Sequence, residues 1–168
     1  WGITQIKKKG LRDLGATLSP QSATAIALGM ETLDLRLSRS QHNAMQLATF
    51  LDNHPKVSKV FYPGLADHPQ HFMAREYLNG GYGAILSFDL IDGADPVAFL
   101  NEMNLVICAT HLGDNRTLAL PVAPTIYFEN TAEERELMGI SDTMLRISVG
   151  IEDTQDLIAD FETALNTI

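Results

Sequence analysis

Cysteine is almost missing from these 168 residues, with Cys108 alone. One thiol cannot close an internal disulfide, which points away from secretion and toward a reducing, cytoplasmic setting. Basic side chains are scarce too: 12 Lys plus Arg stand against 21 Asp plus Glu, a net charge of −9. That sign is wrong for a surface that must neutralise phosphates, so neither nucleic acid nor an anionic membrane is an expected partner. No apolar run approaches the roughly 18 residues that a membrane span needs. Lys7, Lys8 and Lys9 near the start have no apolar segment behind them, so no signal peptide is read either. Internal repeats and low-complexity tracts are likewise missing.

What is present is an ordinary globular composition, 45% apolar and 20% charged. At this length folding hides about 70% of the unfolded surface, enough for a core without staples or metals. The first residue is Trp1 and not Met, from which an upstream part is expected to have been removed or omitted. Residues 1–17, polar and punctuated by Gly2, Gly10 and Gly15, read as a linker or tail. Ser19-Pro20 then starts a helix, with a capping hydroxyl and a proline where its missing N–H costs nothing. Apolar recurrence from Ile26 to Leu51 predicts one long helix, or two abutting ones, over 20–53, with Gly29 as the weak point and Pro55 beyond the end.

Strands and helices then intermix. Strands are predicted over 57–62, 84–90, 105–109 and 144–149, and helices over 68–78 and 95–102. Thr131 followed by Glu134 forms a capping box for a helix over 131–138, and Asp153 caps a last amphipathic helix with Leu157, Ile158, Phe161 and Leu165. The class is mixed α and β, with helices packed on a small sheet.

The residue types that carry chemistry are thin. Gly81-Tyr82-Gly83 lacks the further glycine of a dinucleotide fingerprint and reads as a turn into a strand. His68 and His71 behind Asp67 have the spacing of metal ligands, and equally that of a helix start. Cys108 lies in the apolar run Leu105-Val106-Ile107-Cys108-Ala109 and reads as a buried, inert thiol. The lysines are Lys7, Lys8, Lys9, Lys56 and Lys59, and none sits in the desolvated setting of a Schiff-base lysine. Arg146 is more informative. In Met144-Leu145-Arg146-Ile147-Ser148-Val149, alternation sets Arg146 and Ser148 on one face and Leu145, Ile147 and Val149 on the other. A guanidinium there needs an anion: either a bound carboxylate gripped at two points or an internal pair with Glu152, Asp153 or Asp114.

Four runs, in order, carry a resemblance. They are Gly15-Ala16-Thr17-Leu18-Ser19-Pro20-Gln21; Glu31-Thr32-Leu33 with Leu35-Arg36; Tyr62-Pro63-Gly64-Leu65 with His68-Pro69; and the nine residues from Leu145 to Asp153, Leu-Arg-Ile-Ser-Val-Gly-Ile-Glu-Asp. Over nearly the whole chain they resemble the C-terminal part of the Cys/Met-metabolism family of pyridoxal-phosphate enzymes, which includes cystathionine γ-synthase, cystathionine lyases, methionine γ-lyase and the O-acylhomoserine sulfhydrylases.

The resemblance implies an α+β fold, the small C-terminal domain of a fold-type-I enzyme, with a long N-terminal helix and a small mixed, largely antiparallel sheet covered by helices. Residues 18–168 would form that domain and 1–17 a linker or the tail of a large domain that is missing. The lysine, aspartate, tyrosine and phosphate-binding groups that hold pyridoxal phosphate would lie in that large domain, leaving no catalytic, cofactor or metal residue here. The family's carboxylate-binding arginine falls on Arg146, and the segment His111-Leu112-Gly113-Asp114 would line the same pocket and lend it backbone groups. His111 departs from the family's more usual Ser or Asn. The implied partners are an amino-acid substrate, the large domain and further copies in a homo-oligomer. The run Gly113-Asp114-Asn115-Arg116-Thr117-Leu118 resembles the sulfhydrylases and γ-synthases, which puts γ-substitution on an O-acylhomoserine first and γ- or β-elimination second. Leu120-Pro121-Val122-Ala123-Pro124-Thr125-Ile126 departs from both, lacking the histidines that many members carry there. A free-standing binding or oligomerisation module and a small hydrolase built on His68 and His71 are the other readings.

Overall fold

The computed structural model describes residues 1–168 and divides them into two compact units, Trp1–Leu35 and Arg36–Ile168. The first holds α1 (Gly2–Gln5), a π-helical stretch Ile6–Arg12 and α2 (Pro20–Met30). The segment read as a linker is thus largely helical. Gly15, with φ +68, takes the left-handed conformation that ends a helix, and its amide reaches Leu11 O at 2.9 Å. Its glycine marks a helix stop. Ser19 caps α2 by accepting from the amide of Ser22 at 3.1 Å. No residue of this unit is buried, and Trp1, Ile26, Leu28 and Met30 are all exposed. Glu31 and Thr32 separate α2 from α3 (Leu33–Asp52), so two abutting helices occupy the predicted span.

The second unit is built on a five-stranded sheet. Its strands are β1 (Val57–Phe61), β2 (Ile85–Leu90), β3 (Ile107–Cys108), β4 (Leu118–Pro121) and β5 (Met144–Ser148), in the order β1-β2-β5-β4-β3. All pairs are antiparallel except β3 with β4. The helices are α4 (His71–Tyr77), α5 (Pro96–Asn101), α6 (Val122–Thr125), α7 (Ala132–Leu137) and α8 (Thr154–Leu165). The capping box of α7 and the Asp153 cap of α8 form as their residues dictate.

The core lies on one face of the sheet. Ala44, Leu47, Ala48 and Leu51, at helical spacing on α3, join Leu157, Phe161, Ala164 and Leu165 of α8 over Leu86, Phe88 and Leu90 of β2 and Leu145 and Ile147 of β5. Phe88, Phe99 and Phe161 form a ring triad with centroids 5.9–6.3 Å apart. Each fully buried ring contributes about 2 kcal/mol. A smaller cluster of Leu120, Val122 and Met144 is separate from this core.

Two sequence expectations are corrected. β4 goes unrecognised in the sequence, because four residues ending in Pro121 look too short and too proline-rich for a strand. It nonetheless sits inside the sheet with all four residues buried, the proline being tolerated at its last position. The strand over 105–109 shrinks to two residues at the sheet edge, and there Cys108 is exposed rather than buried.

Candidate functional site

β5 is hydrogen-bonded on both sides, which holds Arg146 opposite Ser87 of β2 and Leu120 of β4. Leu145 and Ile147 are fully buried in the core, so alternation turns Arg146 and Ser148 to the other face. Arg146 is partly exposed there, and its Nη2 donates to the carbonyl of Thr110 at 2.7 Å. None of the three acids that could have neutralised it does so. Asp114 is taken by Arg116, Glu152 accepts from Thr117, and Asp153 caps α8 and faces Arg39 at 3.8 Å. A guanidinium with one neutral carbonyl partner and open N–H groups is left facing away from the core.

The loop from Thr110 to Arg116 lies beside it. Gly113, with φ +77, turns the chain in the left-handed region and donates its amide to Ser148 Oγ at 3.1 Å. Asp114 receives Arg116 Nε at 3.2 Å, Nη2 at 3.0 Å and the Arg116 amide at 3.0 Å, and meets His111 Nε2 at 3.1 Å. The Arg116 side chain, then its amide, then His111 hold the Asp114 carboxyl well below the usual carboxylate range. His111 and Leu112 are exposed, and their amides have no acceptor within the chain. Thr110 O on Arg146 and the Gly113 amide on Ser148 thus run the His111-Leu112-Gly113 stretch alongside β5. The structure adds Thr110 and Ser148. Ser148 was legible as the strand neighbour of Arg146, whereas nothing in the sequence marks the Thr110 carbonyl.

The other candidates are otherwise engaged. His71 stacks on Tyr82 with centroids 5.4 Å apart, and its Nδ1 lies 2.9 Å from Pro63 O; His68 Nδ1 accepts from the amide of Gln70 at 3.2 Å. Gly83, with φ +80, leads from the glycine turn into β2 and accepts from Tyr62 Oη at 2.8 Å. Burial, followed by the charge of Tyr82, pushes the Tyr62 phenol up to about 12.

Four of the five lysines, Lys7, Lys8, Lys9 and Lys59, are exposed and do not fit a covalently held aldehyde cofactor; Lys56 is half-buried next to Pro55. Lys7, Lys8 and Lys9 are exposed on the π-helical stretch, and Lys59 rests over the Phe61 ring at 4.6 Å. Lys59 does border a cavity of about 670 Å³, but the charged groups beside it include Asp52 and Asp67, which repel a phosphate.

A mixed five-stranded sheet backed by α3 and α8 is the architecture of a domain of the fold-type-I pyridoxal-phosphate enzymes. The crystal structure of a Campylobacter jejuni chain assigned as an O-acetylhomoserine (thiol)-lyase, holding a pyridoxyl-lysine monophosphate, superposes on 97% of this chain and 39% of its own length. The TM-score is 0.87 at 34% identity. The model of the Cys/Met metabolism PLP-dependent enzyme family matches residues 3–166, and the chain belongs to that family. L-methionine gamma-lyase of Fusobacterium nucleatum subsp. polymorphum is 42% identical over 166 residues, covering 98% of this chain and 42% of the lyase. O-acetyl-L-homoserine sulfhydrylase 1 of Thermus thermophilus is 40% identical over 164 residues, covering 97% of this chain and 39% of the sulfhydrylase. The chain thus spans about two fifths of the length of these relatives.

Proposed function

We propose that this chain is the smaller, C-terminal domain of a pyridoxal-phosphate enzyme of sulfur amino-acid metabolism, and that Arg146 receives the α-carboxylate of its substrate. The observation that carries this reading is the state of Arg146: a guanidinium held in mid-sheet by one carbonyl, while Asp114, Glu152 and Asp153 are bound elsewhere. Its planar fork suits a carboxylate at two points. The unpaired amides of His111 and Leu112 supply further donors on the neighbouring loop, whose His111 ring is exposed.

In this reading a large domain outside these residues holds the cofactor, in keeping with the chain's spanning about two fifths of its relatives' length. Pyridoxal phosphate supplies an electron sink when bound. The work of this chain is to bind and orient. Gripping the carboxylate fixes the direction of the Cα–H bond, and that fixed geometry lowers the entropic part of the barrier.

The reaction proposed first is γ-substitution on an O-acylhomoserine, supported by the Gly113–Leu118 resemblance and by the sulfhydrylase relative. Elimination from a sulfur amino acid is the second reading, favoured by the equally similar methionine gamma-lyase. A homo-oligomer in the cytoplasm completes the proposal, supported by the many exposed apolar side chains of the first unit and by a single unpaired thiol.

The test is Arg146→Ala in the full-length protein supplied with pyridoxal phosphate and assayed with O-acetylhomoserine, O-succinylhomoserine, cystathionine and methionine. Transition-state stabilisation should fall by about 2–4 kcal/mol for whichever amino acid is turned over. Unchanged kinetics would refute the assignment.

A further inference from the structure

The geometry points to Thr117 and Glu152 as positioning residues that hold the loop 110–116 against Arg146. This rests on the reading of Arg146 as the carboxylate-binding group. Thr117 is completely buried, and both of its donors go to one carboxylate: its amide to Glu152 Oε1 and its Oγ1 to Glu152 Oε2 at 2.8 Å. The same Oγ1 accepts from the amide of Gly150 at 2.9 Å. Every polar group on that side chain is therefore used.

The clamp is braced from behind by α3. Asn43, fully buried, donates to Gly150 O at 3.1 Å and Glu152 O at 2.9 Å, and accepts from Thr154 Oγ1 at 2.7 Å. Arg39 Nη2 donates to Glu152 O at 3.1 Å. In front, the amide of Ile151 reaches Asn115 O at 2.9 Å, and a Cβ on Gly150 would lie 2.4 Å from that same oxygen. The two stretches of backbone therefore touch, and only glycine permits it.

Thr117 governs both ends of the loop. It is the residue where the loop ends, and its carbonyl accepts from Ile107 just before the loop begins, at 3.0 Å. Between those ends the chain is mostly exposed and turns at Gly113, so its path is set from the clamp, from the Ile151 amide on Asn115 O and from the Gly113 bond to Ser148. That path places the Thr110 carbonyl on Arg146. Neither Thr117 nor Glu152 makes a hydrogen bond to Arg146, so their effect on the substrate runs through the loop. Holding a binding group in one geometry before the ligand arrives saves the cost of ordering it on binding.

The experiment uses full-length holoenzyme carrying Thr117→Val, Thr117→Ser, Glu152→Gln or Arg146→Ala. KM and kcat are measured with the preferred substrate. The dissociation constant of norvaline, an amino acid with no leaving group, is measured by calorimetry, and melting temperature is followed throughout. Thr117→Val and Glu152→Gln should raise KM and the norvaline dissociation constant about tenfold with kcat changed about twofold or less, while Thr117→Ser, which keeps every bond, restores both constants. If Arg146→Ala weakens norvaline but the two clamp variants only lower the melting temperature, or if Thr117→Ser is as impaired as Thr117→Val, the positioning role is overturned while the carboxylate reading stands. If Arg146→Ala itself changes nothing, the carboxylate reading fails and takes the clamp with it. Should Thr117→Val not fold, Glu152→Gln decides alone.

Discussion

Gly113 gives its backbone amide to Ser148 Oγ at 3.1 Å, tying the loop to the strand two residues beyond Arg146. One consequence is that this amide is engaged within the chain, whereas the neighbouring amides of His111 and Leu112 have no acceptor there. Another is that the left-handed φ of +77 becomes a requirement of the site.

Gly113→Ala is therefore expected to cost about 1–2 kcal/mol, because an L-residue is strained in that region. Nothing lies within 4 Å of the added Cβ, so the loss is one of backbone conformation and not of packing. Urea unfolding of the variant measures it. A variant as stable as the parent would show that the loop does not hold this turn in solution.

Arg146→Lys keeps the charge and loses the fork. If the carboxylate is gripped at two points, substrate affinity should still fall by about 1.5–3 kcal/mol, since an ammonium cannot reproduce the paired bonds. Substrate titration of the full-length variant distinguishes this from a purely electrostatic site, in which lysine would suffice.

Tyr62 sets a limit at alkaline pH. Its phenol is raised from 10.0 to about 12 by burial and then by Tyr82, so the folded state keeps its proton after the unfolded state has lost it. Its stabilising contribution is complete below pH 10 and is lost as the pH rises from about 10 to about 12. Tyr62→Phe should be about 1 kcal/mol less stable at neutral pH, through loss of the bond to Gly83 O, and should show a shallower alkaline decline. Denaturant melts at stepped pH test both.

Cys108 should react with a disulfide reagent in the native state, one equivalent per chain, with no denaturant needed. A thiol that appears only on unfolding would return it to the buried reading that its apolar neighbours suggest.

Mixed with pyridoxal phosphate and reduced with borohydride, this chain alone should yield no single lysine modified in stoichiometric amount. The exposed Lys7, Lys8 and Lys9 would give at most scattered, substoichiometric labelling. Mass spectrometry of a peptide digest reads the outcome, and full occupancy of one lysine would overturn the assignment of cofactor binding to another domain.

The helix caps of α2, α7 and α8, the apolar period of α3 and the alternation of β5 were legible in the residues, because each depends on neighbours within a few positions. So was the candidacy of Arg146, since a cation between Leu145 and Ile147 demands an anion wherever the strand is placed. Which anion was beyond the sequence: Glu152, Asp153 and Asp114 were all near enough in the chain. The tertiary structure removed all three from consideration, by giving Glu152 to Thr117, Asp114 to Arg116 and Asp153 to the start of α8. The interior place of β4 and the exposure of Cys108 were settled the same way. A short proline-ended run becomes a buried strand because β5 and β3 pair with its two edges, and an apolar run becomes an open edge because only β4 pairs with it. Local chemistry specifies what each segment can form, and long-range pairing decides which side chains find partners within the chain.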